Sequence, residues 1–474
     1  MLVALTSYII LVFVVAWATT RKAKSGAFFT GDHSSPWFVV AFGMIGASIS
    51  GVTFVSVPGE VATNGWHYLQ FVLGNLVGYQ IIAFILIPLY YRRQFISIYS
   101  YLGERFGDIS HKTGAIFFIC SQLLGAGLRF YLALNVLQVV VFHNMGVPLW
   151  AEAIVAIFIV WLYIRKVGIK AVVWTDTLQT LCLLVAVFAT IGSIFFTMNL
   201  NADDIYKLIT THHTFSLLDT DWQSASFLPK HFLSGVAIVV VMNGLDQNIM
   251  QKSLTCKNKR DAQMNLVVFS IAFVACTIVF LTLGTALVAY SEYLGINLPS
   301  STDDIYPIIA QNYLPPFIGI CFVLGIVAAA LSSTDSSLTA LTTVWCVDIL
   351  NTDVISGNKK AEKTKQITTI GFAIALIIVV LAADIINDRS VVSAIFTLAG
   401  YTYGPLLGLF VFGMTNQHAI KEKYVPIVCL SAPTLTYLFN LASPYLLCGY
   451  KMGFELIILN ATLTYLGLWL IKKK

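Results

Sequence analysis

The chain is short of charge and of catalytic motifs. Only 11% of its 474 residues are Asp, Glu, Lys or Arg, while 58% are hydrophobic. Soluble domains carry about 25% charged residues, so this composition excludes an ordinary soluble enzyme, and its hydrophobicity excludes a disordered chain. None of the eight histidines has HExxH spacing, and the eight cysteines form no CxxC pair. We therefore predict a membrane protein that is not an enzyme.

Long polar segments are also rare, because apolar runs recur along the whole chain. A bilayer crossing takes about 20 residues of helix. We predict an all-α polytopic protein in which residues 1–474 form a single transmembrane domain. About thirteen helices are expected, at residues 2–20, 36–63, 66–91, 113–143, 147–164, 171–198, 231–251, 264–290, 313–350, 366–386, 391–415, 424–443 and 453–471.

The basic residues are unevenly distributed between the loops. One alternate set of loops holds 23 of the 28 Lys and Arg residues, with Lys252 counted among them. Positive loops mark the cytoplasmic side of a membrane. The N-terminus is therefore predicted outside and the C-terminus in the cytoplasm, in a bacterial inner membrane. Because topology accounts for the net charge of +5, we expect membrane lipid and no nucleic acid as partners.

Two predicted spans carry helix-weakening residues. The second has glycines and hydroxyl residues from Gly46 to Thr53, and the seventh has Gly244 beside Asn243 and Asp246. Broken helices at membrane depth are tolerated where their freed carbonyls line a cavity, whereas small residues can also simply allow close helix packing. Interrupted spans five positions apart indicate inverted repeats. We place these repeats at residues 36–198 and 231–415.

Charged and hydroxyl residues in other spans are candidate functional groups, because charge inside a bilayer is costly. The ninth span combines five Ser or Thr residues with Asp335, which suits a cation site, although hydroxyls can also bond to their own helix. Asp176 could pair with a lysine or complete that cation site. Arg129 could bind a substrate carboxylate, or pair with an Asp or with backbone carbonyls.

Several segments occur in the order found in the sodium:solute symporter family, which this sequence resembles. They are residues 28–32, the glycine- and hydroxyl-containing stretch 46–53, and residues 174–176, 246–247, 329–336 and 400–413. The resemblance implies the leucine-transporter fold, with one helix before the two five-helix repeats and two after. It also implies import of a small organic solute by alternating access, driven by one or two co-transported Na⁺.

The resemblance also implies site residues. Its main sodium site corresponds here to carbonyls of Gly46, Ile49 and Ala329 and hydroxyls of Ser332 and Ser333. A further sodium site in some members matches Asp176, Ser332, Asp335 and Ser336. Its substrate region, together with Arg129, corresponds to Ser48, Ser50, Thr53, Phe54, Asn75, Met242 and Asn243.

The sequence departs from the sugar carriers of that family, which place a glutamine where this chain has Thr53. Together with Arg129, this favours a carboxylate, an amino acid or a sialic-acid-like solute over a neutral sugar. Two alternatives remain open at this point: a proton-coupled carrier that uses Asp176 or Asp335, and a membrane sensor that binds solute.

Overall fold

The structure is a computed structural model that describes residues 2–21, 26–142, 145–166, 168–221, 224, 226–352, 358–386, 391–446, 452 and 455–473. Within this part of the chain the regular structure is helical, and two isolated bridges are the only extended pairings: Ser35 with Cys256 and Ile420 with Lys472. The predicted all-α class is confirmed.

Each predicted span contains a helix. The α-helices are Leu2–Thr20, Ala27–Thr30, Trp37–Ser48, Gly51–Asn64, Tyr68–Ile81, Ile87–Arg93, Ser100–Phe106, Asp108–Leu137, Leu149–Ile164, Ile169–Thr197, Ala202–Thr211, Leu228–Val239, Gln247–Leu254, Lys259–Leu294, Ile305–Asn312, Pro316–Val344, Lys359–Ile386, Val391–Thr415, Val425–Leu446 and Leu456–Leu470. Four of them continue into a π turn, at Ile82–Leu86, Gln138–Phe142, Val240–Gly244 and Trp345–Ile349.

Among the described residues, eight helices are long and apolar enough to cross a membrane, and two bent helix pairs raise this number to as many as ten. Two further predicted spans are shorter apolar helices, Leu149–Ile164 and Leu456–Leu470. A crossing takes about 20 residues, which these two do not reach. The polytopic architecture therefore agrees with the prediction, while the count of thirteen crossings stays a prediction.

Both predicted breaks are confirmed. The first broken helix consists of Trp37–Ser48 and Gly51–Asn64, with a bend of 59° between Trp37–Ser48 and Thr53–Asn64. The second, Leu228–Gly244 followed by Gln247–Leu254, bends by 68°. Each second half starts with a side-chain cap. Ser50 Oγ accepts from the Thr53 amide, and an Asp246 carboxylate oxygen accepts from the Asn248 amide at 2.7 Å. The polar residues that weaken each helix thus also begin its next half.

The helix Pro316–Val344, called the serine-rich helix below, lies at the centre of the molecule. Its apolar window is 78% buried, compared with 22% to 50% for the other long spans. It packs against Ile169–Thr197, Asp108–Leu137 and both halves of the first broken helix. Its hydroxyl groups therefore face protein on all sides, which explains how a lipid-crossing helix can carry so many of them.

The loops segregate to two ends of the molecule. At one end, Lys170 Nζ donates to Asp32 Oδ2 at 2.5 Å and the Ser35 amide donates to Thr255 O at 3.1 Å, which joins three basic loops. At the other end, the Trp66 amide donates to Ser216 O at 3.0 Å. We call these the basic end and the Trp66 end. Their assignment to the inside and the outside of the membrane stays a prediction.

The third span and the second broken helix approach each other through a reciprocal pair of glycines. A Cβ atom added to Gly74 would collide with the carbonyl oxygen of Phe232, and one added to Gly235 would collide with that of Phe71. Backbone-to-backbone contact of this kind is what small residues permit between membrane helices.

We expect Gly235→Ala to lower the melting temperature, since overpacking typically costs about 1–3 kcal/mol and here the obstacle is backbone. Gly192→Ala is the matched control, because an added Cβ there meets nothing within 4 Å. The control should be neutral or stabilise by about 0.4–1 kcal/mol. Thermal unfolding of both purified variants checks this, and equal melting temperatures would contradict the close contact.

Candidate substrate and cation site

A cavity of about 200 Å³ lies between the two broken helices. Seven of the eight predicted substrate residues line it: Ser48, Ser50, Thr53, Asn75, Arg129, Met242 and Asn243. Ser333 of the predicted main sodium site lines it as well. The sequence did not assign Tyr68, Phe71, Tyr79, Gln122, Asp246, Asn248 or Tyr403 to this region, although they are further lining residues.

Phe54 is the predicted substrate residue that does not line the cavity. It is fully buried, and its ring lies 5.3 Å from that of Tyr306 and 5.7 Å from that of Phe322. In a helix, residues 53 and 54 point in directions about 100° apart, so Thr53 faces the cavity while Phe54 faces an aromatic cluster. The expectation for Phe54 is therefore corrected to a packing role.

Arg129 brings a positive charge to the cavity. Within the part of the chain that the structure describes, its guanidinium makes no hydrogen bond and has no carboxylate within 4.0 Å. The other charged lining residue, Asp246, interacts electrostatically with Arg129, but both of its oxygens are engaged elsewhere: one accepts from the Tyr403 hydroxyl at 2.5 Å and the other caps the second broken helix. Of the roles left open by the sequence, this arrangement favours an arginine that is available to an anionic group in the cavity.

Other polar groups in the cavity wall are also incompletely bonded. Asn243 Nδ2 donates to the Tyr79 hydroxyl at 2.5 Å and Ser48 interacts with the same hydroxyl, whereas Asn75 Oδ1 is buried and has no hydrogen-bond partner among the described residues. An unsatisfied buried polar atom costs about 1–3 kcal/mol, so Asn75 Oδ1 needs water or a polar solute. The cavity thus offers one cationic donor and several neutral polar groups to its occupant.

The first broken helix exposes backbone oxygens. Ile49 N donates to Ile45 O, and the next bond across the break runs from Phe54 N to Ser50 O. Among the described residues, the carbonyls of Gly46 and Ile49 receive no backbone hydrogen bond from the turn that follows. Carbonyl oxygens are suitable ligands for a hard cation such as Na⁺. These are the two carbonyls that the resemblance places in the main sodium site.

The serine-rich helix contacts both halves of that break and contributes the hydroxyls of the predicted main site. Ser332 Oγ donates to Asp176 Oδ1 at 2.5 Å, and Ser333 Oγ donates to Ala330 O at 3.1 Å. A hydroxyl that donates still has acceptor lone pairs, so both oxygens remain suitable cation ligands. Ser333 thus bonds to its own helix, which was the alternative considered for these hydroxyls. This bond leaves its oxygen able to coordinate a cation.

Asp176 is held by a lysine. Its Oδ2 lies 2.7 Å from Nζ of Lys252, and both side chains are almost fully buried. Lys252 lies in Gln247–Leu254, which turns back into the protein after the break, so this lysine is not a loop residue as the sequence suggested. The signal that could have located it is the run of polar residues around it, from Gln247 to Ser253, which suits protein surroundings better than lipid.

Asp335 and Ser336 bond to each other and to neighbours. Asp335 Oδ2 accepts from the Tyr163 hydroxyl at 2.6 Å and from Thr175 Oγ1 at 3.4 Å, and Oδ1 accepts from Ser336 Oγ at 3.2 Å. Asp176 and Asp335 are thus held by separate partners, and the cation nearest to Asp176 is an ammonium. The structure pairs Asp176 with Ser332 and Asp335 with Ser336, and it adds Lys252 beside Asp176. The second sodium site built on these four residues stays a prediction.

The sequence profile described as "Sodium:solute symporter family" matches residues 28–421. The sodium/sialic acid symporter NanT of Aliivibrio fischeri is 24% identical, over 92% of this chain and 86% of its own length. The human sodium/iodide cotransporter is 23% identical over 84% of this chain, which spans 62% of that protein. The mouse sodium-coupled monocarboxylate transporter 1 is 26% identical, over 84% of this chain and 66% of that protein.

Two solved structures have the same fold. A substrate-bound, outward-open Na⁺-coupled sialic acid symporter superposes with a TM-score of 0.83 at 18% identity, covering 99% of this chain and 98% of that one. The nucleobase-cation-symport-1 family transporter Mhp1, in a closed conformation, superposes with a TM-score of 0.55 at 12% identity, covering 92% of each chain. The family match spans most of the chain, and the fold agrees with it from end to end. The chain therefore belongs to the sodium:solute symporter family.

Proposed function

We propose that this protein imports a small organic solute bearing a carboxylate, together with Na⁺, by alternating access. The observation that carries the proposal is the guanidinium of Arg129, which makes no hydrogen bond within the described residues and lines a cavity that adjoins the freed carbonyls of Gly46 and Ile49. Relatives named as carriers of sialic acid and of monocarboxylates support a carboxylate, and the family name supports sodium coupling.

Sodium acts through the geometry of the break. A cation that binds the carbonyls of the first broken helix and the hydroxyls of the serine-rich helix joins two elements that otherwise only pack together. Its binding organises the cavity wall, which carries Ser48, Ser50 and Thr53 beside the break. Sodium therefore raises solute affinity, and solute must raise sodium affinity by the same factor. Each Na⁺ that enters through 100 mV supplies about 2.3 kcal/mol for uphill import.

The first experiment is a thermal-shift screen of the purified protein, followed by uptake into proteoliposomes. Sialic acids, amino acids, monocarboxylates and neutral sugars are compared in sodium and in potassium. A ligand stabilises the folded state by mass action, so we expect a carboxylate hit that requires sodium. Uptake that follows pH and ignores sodium would instead favour the proton-coupled carrier. Binding without uptake would favour the sensor.

We expect Arg129→Gln to weaken binding of the identified carboxylate by about 10–100-fold, since a charged hydrogen bond contributes about 1.5–3 kcal/mol. Arg129→Lys should recover part of this loss, because it keeps the charge and loses the two-pronged geometry. The amide analogue of the solute should bind both wild type and Arg129→Gln weakly. If the Gln variant still distinguishes acid from amide, Arg129 is not the carboxylate ligand.

Sodium binding at the break is tested with Ser333→Ala. Loss of one hydroxyl ligand should raise the sodium concentration for half-maximal stabilisation by about tenfold, the effect of about 1.4 kcal/mol. Thr334→Ala is the matched control, because its hydroxyl donates to the same acceptor, Ala330 O, at 2.8 Å and does not line the cavity. Equal sodium dependence in the two variants would remove Ser333 from the site.

We further propose coupling to a single Na⁺, because the Lys252 ammonium already neutralises Asp176. The buried group comprises two carboxylates, Asp176 and Asp335, and one ammonium, with hydroxyl donors on Asp335 from Tyr163 and Thr175. A buried carboxylate requires a counter-charge, and the internal ammonium supplies it to Asp176 without an ion from solution, whereas Asp335 is held by hydroxyl donors.

This proposal predicts that Lys252→Met creates a demand for a second cation. The sodium Hill coefficient should rise from about one toward two, and the variant should lose about 3–5 kcal/mol of stability in potassium, where its carboxylate is left unpaired. The double variant Asp176→Asn with Lys252→Met removes both charges and should keep a coefficient near one. A wild-type coefficient of two would contradict single-sodium coupling directly.

A further inference from the structure

At the Trp66 end, outside the substrate cavity, three metal-ligand side chains meet. His212 Nε2 lies 3.2 Å from Glu292 Oε2, and His213 Nδ1 lies 3.8 Å from Glu292 Oε1. One ligand atom of each residue lies within 4.8 Å of the others. Imidazole nitrogen and carboxylate oxygen bind Zn²⁺ at about 2.0–2.2 Å, which places neighbouring tetrahedral ligands about 3.4 Å apart. We propose that His212, His213 and Glu292 form a binding site for a divalent ion of the zinc class.

The side chains are arranged in a way that suits such an ion. His212 Nδ1 contacts Thr214 Oγ1 at 2.9 Å, which orients the ring and directs Nε2 toward Glu292. Hydrogen bonding of the second ring nitrogen is typical of metal-binding histidines. His213 and Glu292 are more than half exposed, so their ends can move the remaining distance. Three protein ligands leave a fourth position for water, as in zinc sites that are open to solvent.

The site joins two separate elements. The histidines follow the helix Ala202–Thr211 in the connection between the predicted repeats, whereas Glu292 lies in the last turn of Lys259–Leu294. A bound ion would therefore close a link across about 80 residues of chain, a stronger constraint than the contacts that His212 and His213 make with Glu292 without it.

This link lies next to a junction with the first broken helix. Thr214 Oγ1 donates to Thr285 Oγ1 at 3.3 Å, and the Trp66 indole nitrogen donates to the same hydroxyl at 3.0 Å. Trp66 lies two residues beyond the end of the helix Gly51–Asn64. An ion that fixes His212 and His213 to Glu292 therefore stabilises the conformation that the Trp66 end has in this structure. Alternating access requires the protein to exchange between this conformation and one open to the other side of the membrane, so the bound ion slows transport. This effect on transport rests on the proposed function, whereas binding of the ion does not.

The test uses the purified full-length chain with Zn²⁺ alone. Calorimetry should give one ion per chain, with a rise in melting temperature that EDTA reverses. His213→Ala and Glu292→Gln should each weaken binding at least about tenfold, because even second-shell changes cost 10–100-fold in metal affinity. His418→Ala is the matched control, since it removes an exposed histidine at the basic end.

In proteoliposomes, Zn²⁺ added to the side that carries the Trp66 end should reduce sodium-driven uptake of the hit from the screen. Inhibition should disappear in His213→Ala and persist in His418→Ala. Equal Zn²⁺ binding in all variants would overturn the assignment of the site to these residues. Zn²⁺ binding without inhibition would overturn the proposed effect on transport. Failure of the proposed function is distinguishable, because wild type would then show no sodium-driven uptake while Zn²⁺ binding remained.

Discussion

A hydrocarbon layer offers no hydrogen-bond partner to a peptide group, and the structure depends on how this constraint is met at two places. A helix can be interrupted inside a bilayer only where protein or water receives the freed groups. Both breaks therefore face the same interior, and their polar caps, Ser50 and Asp246, satisfy part of the exposed backbone. The carbonyls of Gly46 and Ile49 remain without a backbone hydrogen bond from the turn that follows. The missing hydrogen bonds make the break costly, and they also leave two oxygen ligands at a defined position.

The buried charges follow a related rule, and one of them departs from it. Asp176 has an ammonium, Asp335 has hydroxyl donors, and Asp246 has the Tyr403 hydroxyl and a backbone amide. Asp348 at the basic end, fully buried, is held by His111 at 2.7 Å. Among these groups, Arg129 alone makes no hydrogen bond and no ion pair within 4.0 Å in the described part of the chain, although its charge interacts with that of Asp246. A buried charge without a direct partner, where the other buried charges have one, is a functional candidate because charge inside a bilayer is costly.

Much of this arrangement is predictable from local sequence. Hydrophobic runs locate the helices, and glycine beside hydroxyl residues locates both breaks, because these are properties of a few consecutive residues. The cavity wall was largely predicted too, since the resemblance carries positions such as Ser48 and Asn243. The predictions that were wrong concern the direction in which a side chain points and contacts between residues far apart in the chain. Phe54 lies one residue from the cavity-lining Thr53 but faces away from the cavity. Lys252 has the sequence context of a loop lysine, but it lies in a half-helix that is buried in the protein. No spacing rule brings His212 to Glu292.

The paired glycines Gly74 and Gly235 have a consequence for motion. Two helices whose backbones touch, each with its glycine against the other's carbonyl, leave no room between them for even one methyl group. Because so close a contact is lost by a small separation, we expect the third span and the first half of the second broken helix to move together, although they belong to different predicted repeats. Opening and closing would then occur between this pair and the helices around it, and not along the boundary between the repeats.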